Sequence, residues 1–589
     1  MNILTIRGIA MDFKAKVDEW LQFEELDETL KAQLSEMMDD ETAITDSFYK
    51  ELEFGTGGMR GVLGPGTNRM NIYTVRKGAE GLARYIKDQG AEAMARGVVI
   101  AYDNRHMSPE FALEIAKVVG KHGIRAYVFE SLRPTPVLSF AVRYLHAFSG
   151  VMITASHNPP QYNGMKIYGE DGGQLPLEPA DEVIRYVQGA GSELTIETAD
   201  EKELLANDLL TYIGEKIDFA YNEALQTIQL RDVNTKDLKI VFTPLHGTAN
   251  HPVRRGLESL GYENVIIVKE QELPDADFST VKSPNPEEIS AFELAIGYAK
   301  EHDADIIIGT DPDADRIGIL SRTENGEYFP LNGNQLGVLF LHYILSTRKE
   351  LNQLPENGIA IKTIVTTELS RAIAEDFNIA SLDVLTGFKF IGEKIKEYET
   401  TGEHTYLFGF EESYGYLIRE FARDKDAVQA AIFAAEIAAY YKEQGKTVAD
   451  ALFEIFETYG YYLEGQTSLV LEGALGQKHI AAIIDTLREE PIREVNGTAV
   501  QTIEDYATSV SEDVATGEKT DIDLPQSNVL KYKLTDGSWF CVRPSGTEPK
   551  MKYYYAVKGN SQEESEQGLA ALKQELTTVF NNIYDKIKN

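Results

Sequence analysis

At 589 residues the chain is too long for one hydrophobic core, and ordinary domain sizes divide it into about four domains. Its 57 basic and 94 acidic side chains leave a net charge of −37, which repels nucleic acid and anionic membranes and argues against either as a partner. The single cysteine, Cys541, excludes an internal disulfide framework and fits a reducing compartment.

The apolar share of 43% and charged share of 26% are those of a soluble globular protein. The first twenty residues lack a basic segment followed by an unbroken apolar run, and no stretch reaches about 18 apolar residues. The expectation is a cytoplasmic protein with neither signal peptide nor membrane span.

Residues 12–50 alternate acidic and apolar positions at helical spacing and read as one or two surface helices, with residues 1–10 as an extension. Phe54-Gly55-Thr56-Gly57-Gly58-Met59-Arg60-Gly61 comes next. A glycine-rich loop lets backbone N–H groups approach an anion, and Arg60 could add charge. The loop lacks the Lys-Ser/Thr ending of a nucleotide P-loop, and a plain turn fits it as well.

An α/β pattern begins at residue 97. Gly97 to Tyr102 reads as a buried strand ending at Asp103-Asn104-Arg105. Ser108-Pro109-Glu110 then reads as a helix start with Ser108 as N-cap, and the helix runs to about His122 before Gly123. Ala126 to Phe129 is a further strand.

The same unit recurs as Leu238 to Phe242, Val253 to Leu260 and Val265 to Val268, and again as Gly358 to Lys362, Ser370 to Asp376 and Leu382 to Leu385. Each copy is followed by a strand that ends in polar residues. Val151-Met152-Ile153 leads to Thr154-Ala155-Ser156-His157-Asn158-Pro159-Pro160, with Asn163-Gly164 and Lys166 beyond. Asp305 to Gly309 leads to Asp311-Pro312-Asp313-Ala314-Asp315-Arg316, and Thr405 to Gly409 leads to Glu411-Glu412-Ser413. Ligands of α/β sheets bind outside the carboxyl ends of strands, so three such ends suggest three walls of one site.

An alanine-rich helix runs from Ala427 to about Lys442. Residues 465–589 then mix strands with polar turns and close on a helix. Within them Ser538 to Val542 ends at Arg543-Pro544-Ser545-Gly546-Thr547-Glu548-Pro549-Lys550, and Tyr553 to Tyr555 is the return strand.

Several of these clusters carry chemistry. Three aspartates spaced two apart cannot all stay ionised cheaply without a cation, and hard oxygen ligands of this kind suit Mg²⁺. A calcium loop would need Gly and Glu where Arg316 and Arg322 stand. Arg543, Ser545 and the glycine after it have the parts of a phosphate cradle. Glu411 and Ser413 could bond sugar hydroxyls, while Lys389 and Lys425 are weaker candidates. Ser156 by itself reads as a turn residue or as a nucleophile, and the Gly-x-Ser-x-Gly elbow of a hydrolase is missing.

Taken together and in this order, the four clusters resemble the α-D-phosphohexomutase family, in particular its longer phosphoglucomutase-type members, which include phosphopentomutases. The likeness runs from about residue 50 to 560. It implies an α/β protein of four domains around a central cleft: three related mixed-sheet α/β units and a smaller α+β domain. The corresponding limits are an N-terminal helical extension at 1–50 and domains at 51–205, 206–325, 326–455 and 456–589.

The resemblance further implies Ser156 as a phosphoserine that completes a Mg²⁺ shell with Asp311, Asp313 and Asp315, Arg316 lying near the metal. Lys166 matches the family's acid/base lysine, with His157 as its helper, and Arg60 its active-site arginine. Glu411 and Ser413 match the residues that grip sugar hydroxyls, beside the weaker substrate-binding candidates Lys389 and Lys425, and Arg543, Ser545, Gly546 and Thr547 match those holding the non-reacting phosphate. The implied reaction interconverts glucose 1-phosphate and glucose 6-phosphate through glucose 1,6-bisphosphate, in a monomer or dimer whose only partners are sugar phosphates.

Tyr414-Gly415 stands where some relatives carry Gly-His, so mannose and pentose phosphates remain alternatives as substrates. An Asp311-nucleophile phosphatase is a more distant rival, since Asp315 occupies the place of that family's Thr or Val. A silent sugar-phosphate sensor is another, though every expected chemical residue is present.

Overall fold

Val98–Tyr102 and Ser149–Ile153 are buried at every position, as strands covered by helices on both faces must be. The computed structural model in which they lie describes residues 3–588 except 56, 472–474 and 546–549. The chain forms two compact units. The first comprises Met1–Gly333, Phe388–Gly409 and Ser413–Val448, and the second Asn334–Gly387, Phe410–Glu412 and Ala449–Asn589.

The first unit holds two mixed sheets of one design. Strands β1 (Met59–Val62), β2 (Val98–Tyr102), β3 (Ala126–Phe129), β4 (Ser149–Ile153), β5 (Tyr162–Tyr168) and β6 (Leu210–Ile213) assemble in the order β1-β5-β4-β2-β3-β6. From β4 to β6 the pairing is parallel, and β5 lies antiparallel between β4 and β1. Strands β7 (Lys239–Thr243), β8 (Asn264–Ile267), β9 (Ile306–Thr310), β10 (Ile317–Arg322) and β11 (Tyr328–Leu331) assemble as β11-β10-β9-β7-β8. There β9-β7-β8 is parallel and β11-β10-β9 antiparallel. The Ser156 loop joins β4 to β5 and the aspartate loop joins β9 to β10, so the two loops occupy equivalent corners of two related sheets.

The N-terminal segment corrects its sequence reading. It forms three helices, Ile3–Gln22, Glu28–Glu36 and Glu41–Phe48, rather than one or two. They are more than a surface layer, because Val17, Trp20, Leu34, Ile44 and Phe48 share a core with Tyr73 and Leu194. Trp20 meets the edges of Phe48 and Tyr73 at 5.6 and 5.5 Å, and its Nε1 donates to Glu193 Oε1 at 2.8 Å. The acidic residues that suggested a solvated surface occupy the outer faces only.

Ser108 begins its helix as expected but does not cap it. Its Oγ donates to the buried Asp103 Oδ1 at 2.9 Å, and Met107, at φ 66°, takes the cap position without a side-chain bond.

The second unit contains the parallel pair β12 (Gly358–Thr363) and β13 (Ala380–Val384). It also contains an eight-stranded sheet, which runs Tyr461–Val470, Lys550–Gly559, Trp539–Pro544, Leu530–Leu534, Thr498–Asp505, Val510–Asp513 and Lys519–Asp521, with Glu494–Val495 beside Thr498–Asp505. Helices Gly476–Glu489 and Gln562–Lys588 bury Ile483, Leu487, Leu576 and Phe580 against that sheet. Strand β14 (Thr405–Glu411) ends at the loop of Glu412, Ser413 and Tyr414.

Candidate active site

Ser156 sits at the end of β4 with φ +52°, a left-handed conformation that costs a non-glycine residue about 1–2 kcal/mol. The surroundings hold it there. Its N–H donates to Thr154 Oγ1 at 2.8 Å, and its carbonyl accepts from Arg105 Nη2 at 2.6 Å. The same guanidinium also donates to the carbonyls of Asn158 at 2.5 Å, Pro159 at 2.8 Å and Tyr162 at 3.0 Å. Arg105 is fully buried, with Asp103 beside its Nε at 3.4 Å. The serine loop is therefore wound around one buried cation. Sequence reading placed Arg105 at a strand end and assigned it nothing; its position after the β2 strand, like that of the other polar strand ends, is the signal that could have found it.

The fold brings Ser156 to the aspartates. Its Oγ donates to Asp311 Oδ2 at 2.8 Å, and His157 Nδ1 lies 3.2 Å from the same Oγ. Asp311 Oδ1 accepts the N–H groups of Asp315 and Arg316, each at 3.0 Å, which folds the loop back on its first residue. Asp313 Oδ2 accepts from Thr135 Oγ1 at 2.8 Å and from Lys166 Nζ at 2.9 Å. Asp315 Oδ2 faces Lys425 Nζ at 3.0 Å and Lys166 Nζ at 3.3 Å.

All three aspartates are buried, and each offers an oxygen within 4.8 Å of the others. The second oxygens, Asp313 Oδ1 and Asp315 Oδ1, are buried with no hydrogen-bond partner. Asp315 Oδ1 has only the Arg316 Nε at 3.9 Å, and two carboxylate oxygens out of water without a hydrogen bond are costly unless a cation meets them. An all-oxygen donor set of this kind fits a hard divalent ion, Mg²⁺ foremost.

The charges are unevenly shared. Burial, reinforced by Asp313 and Asp315, raises the Asp311 carboxyl well above the carboxylate range. Burial would also raise Asp315, but the Lys425 and Lys166 ammoniums outweigh it and hold the group below that range. Burial would lower the Lys166 ammonium, yet Asp313 and Asp315 outweigh it and hold the group above its ordinary range. His157 is pushed down to about 3 by burial and by the Arg316 and Arg60 guanidiniums, so its ring is neutral near pH 7.

Arg60 lies on β1 opposite Gly164 and donates to Asn158 Oδ1 at 2.9 Å, so it belongs to a strand rather than to the glycine loop. Gly58 is required there: at φ +118° a Cβ would stand 1.9 Å from the Met165 carbonyl oxygen. Arg316 pairs with Glu287. Lys425 is set by Asp424, which its own N–H reaches at 2.8 Å, and Asp424 Oδ2 takes Tyr168 Oη at 2.8 Å and Gln174 Nε2 at 3.1 Å. Tyr168, Gln174 and Asp424 had no role in the sequence reading. Lys389 lies in the first turn of helix Phe388–Thr401, and its charged neighbours are Glu393 and Asp181, not the aspartate trio.

In the second unit Glu411 Oε1 accepts the Gly387 N–H at 3.0 Å, and Glu412 Oε2 takes the hydroxyls of Thr363 and Thr366 at 3.3 and 3.2 Å. Arg543 lies near the end of strand Trp539–Pro544, and the Ser545 N–H donates to the Lys550 carbonyl at 2.7 Å. Gly546 and Thr547 lie outside the described residues. Ser413 is half-buried in the first unit.

This set of loops matches one family throughout. Residues 51–193, 220–326 and 332–459 match the alpha/beta/alpha domains I, II and III of phosphoglucomutase/phosphomannomutase, and residues 488–573 match its C-terminal domain. The chain belongs to the phosphoglucomutase/phosphomannomutase family. Members of this family are isomerases that move a phosphoryl group within one molecule.

Among its relatives, the phosphoglucomutase of Staphylococcus haemolyticus is 38% identical over 552 residues, covering 94% of this chain and 98% of that one. A Staphylococcus aureus phosphoglucomutase is 39% identical over 544 residues, covering 92% and 96%. Among solved structures, a family protein from Burkholderia thailandensis has a TM-score of 0.63 at 19% identity, over 89% of this chain and 97% of its own. The exocytosis-sensitive phosphoprotein pp63/parafusin from Paramecium, in its open form, has a TM-score of 0.65 at 17% identity, over 91% and 96%. These two share the fold. No helix among the described residues is long and apolar enough to cross a membrane.

Proposed function

We propose that this family member is a phosphoglucomutase, interconverting glucose 1-phosphate and glucose 6-phosphate through a phosphorylated Ser156 and glucose 1,6-bisphosphate. The observation that carries the reading is the 2.8 Å bond from Ser156 Oγ to a carboxylate of a buried aspartate trio that Lys166 also touches. The staphylococcal relatives named phosphoglucomutase support the choice of sugar.

In this scheme Asp311, Asp313 and Asp315 would hold Mg²⁺, with Ser156 beside them. When bound, the ion would offset charge on the transferring group. Phosphorylated Ser156 gives its phosphoryl group to the free sugar hydroxyl, and the other phosphate of the resulting bisphosphate returns to it. Lys166, kept charged by Asp313 and Asp315, gives a proton to the Ser156 oxygen as the phosphoryl group leaves and takes back the one that the sugar hydroxyl loses, with neutral His157 beside the serine Oγ. Arg60 and Arg316 add positive charge around the serine loop.

Glu411, Ser413 and Lys425 grip sugar hydroxyls, Lys389 has a lesser part, and Arg543, Ser545, Gly546 and Thr547 hold the phosphate that does not react. Positioning and electrostatics supply most of the rate, as phosphoryl transfer generally requires. The proposed domain limits are 51–205, 206–325, 326–455 and 456–589. The lone, buried Cys541 suits a cytoplasmic setting.

A coupled assay with Mg²⁺ and glucose 1,6-bisphosphate on glucose 1-phosphate, mannose 1-phosphate and ribose 1-phosphate tests this. Glucose 1-phosphate should be the best substrate. No conversion of it under any condition would sink the reading.

A further inference from the structure

A cavity of about 270 Å³ is lined by Thr248 and by Val137 of the helix that Thr135 begins. Three elements of the first unit build it: the Ser131–Arg133 turn with the helix Thr135–Tyr144, the helix Glu215–Gln226, and the helix Asn250–Ser259. Its apolar lining comes from Leu132, Val137, Leu225 and Pro252.

The polar lining is unbalanced in charge. Arg133 is consumed by Asp218, which it meets with two parallel bonds of 2.8 Å. That leaves His251 and Arg255, one helical turn apart, with no acid bonded to either among the described residues, although acids outnumber bases 94 to 57 in this chain. Arg255 instead lies over the Phe219 ring, 5.5 Å from its centre. Asn222 also lines the cavity. Its Nδ2 donates to Ser259 Oγ at 2.9 Å, while its Oδ1 is buried without a partner.

These groups define a ligand. An arginine fork with a histidine beside it selects a phosphate over a neutral group. The unsatisfied Asn222 oxygen asks for a hydroxyl donor, and the apolar wall asks for a short carbon body. The volume limits the whole to a small molecule. We propose that this cavity is a second ligand site, distinct from the catalytic serine, which takes a small hydroxylated phosphate ester with its phosphate on Arg255 and His251.

Its wall touches the aspartate loop directly. Thr248, which lines the cavity, donates to the Pro312 carbonyl through both N–H and Oγ1 at 2.8 Å. Thr135, in the first turn of the helix that carries Val137, donates to the Asp313 carbonyl and to Asp313 Oδ2, both at 2.8 Å. Gly247 packs so closely that a Cβ there would stand 2.5 Å from Pro312 Cα. A ligand that moves Thr248 moves Pro312, which lies between two of the carboxylates proposed to hold the cation, and through it the site acts as an effector site.

Isothermal titration of the full chain with glycerol 3-phosphate tests the assignment, with Arg255→Glu, the milder Arg255→Gln and inorganic phosphate as comparisons. The expected result is binding that falls by about tenfold or more in Arg255→Glu, the scale of one lost charge-assisted hydrogen bond, with Arg255→Gln between. Inorganic phosphate should bind more weakly, because it leaves the carbon wall and Asn222 unfilled. Absence of binding, or binding unchanged in both variants, would overturn the site. Equal affinity for inorganic phosphate would overturn the ester. Glycerol 3-phosphate should also change the affinity for Mg²⁺ titrated into the wild-type chain, and an unchanged Mg²⁺ affinity would overturn the effector role.

Discussion

Ser156 and Asp311, 155 positions apart in sequence, meet through one 2.8 Å hydrogen bond. Each residue stands at the carboxyl end of a buried strand, β4 and β9, in a separate mixed sheet. The pairing of two equivalent sheet corners puts a serine hydroxyl against a cluster of carboxylates, and the proposed chemistry rests on this pairing.

The aspartate trio should be unstable without its cation. Three buried carboxylates share two ammoniums, from Lys166 and Lys425, and two oxygens have no hydrogen-bond partner. Chelation should abolish turnover and lower the melting temperature, and Mg²⁺ at about a hundred times its Kd should restore about 2.7 kcal/mol. In Asp313→Ala the thermal response to Mg²⁺ should be lost. Differential scanning calorimetry reads this without any assay of activity.

Lys166→Met should lower kcat by about 10²–10⁴-fold, the usual worth of a positioned acid or base, with a much smaller change in KM. An equal loss in a variant of Lys389, whose charged neighbours are Glu393 and Asp181, would count against the special place given to Lys166. Steady-state kinetics on both variants decides it.

Arg105→Met removes the cation from the centre of the serine loop. Asp103 is left buried without its counter-charge, which should cost about 3–5 kcal/mol of stability. Arg105→Lys keeps the charge but not the fork that reaches four carbonyls. That variant should unfold closer to the wild type in urea while losing kcat, because the left-handed turn at Ser156 is no longer held.

A pH effect is expected in the second unit. Glu464 is half-buried with its Oε1 out of solvent, accepts from Asn334 Nδ2 at 3.1 Å, and is pushed up to about 7 by desolvation from an ordinary 4.5. A raised carboxyl pKa stabilises the fold fully below pH 4.5, and that contribution is lost as pH rises through about 7. The amount is about 3 kcal/mol. Glu464→Gln should remove this slope, so that relative to wild type it gains stability between pH 5 and pH 8. Calorimetric melting at the two pH values measures the gain.

What could be read in the sequence was whatever chemistry is local. Asp311, Asp313 and Asp315 sit within five residues, and the burial of β4 and β9 follows from unbroken apolar runs, so the loops and their strand ends were legible. Contacts between distant segments were not. Arg105 takes its meaning from carbonyls more than fifty positions later, Lys425 from Asp315, and Tyr168 from Asp424. The N-terminal helices were underestimated because their apolar partners, Tyr73 and Leu194, lie outside the segment. Ser108 was misread as a cap because its competing acceptor, Asp103, is supplied by the preceding strand end.

In the proposed reaction Ser156 carries the phosphoryl group. The most direct test is intact-mass and peptide-mapping analysis of the protein after incubation with glucose 1,6-bisphosphate, in wild type and in Ser156→Ala. One phosphoryl adduct on Ser156, absent from an inactive Ser156→Ala, is the expected result. A fully active Ser156→Ala, or an adduct that maps to Asp311, would contradict it.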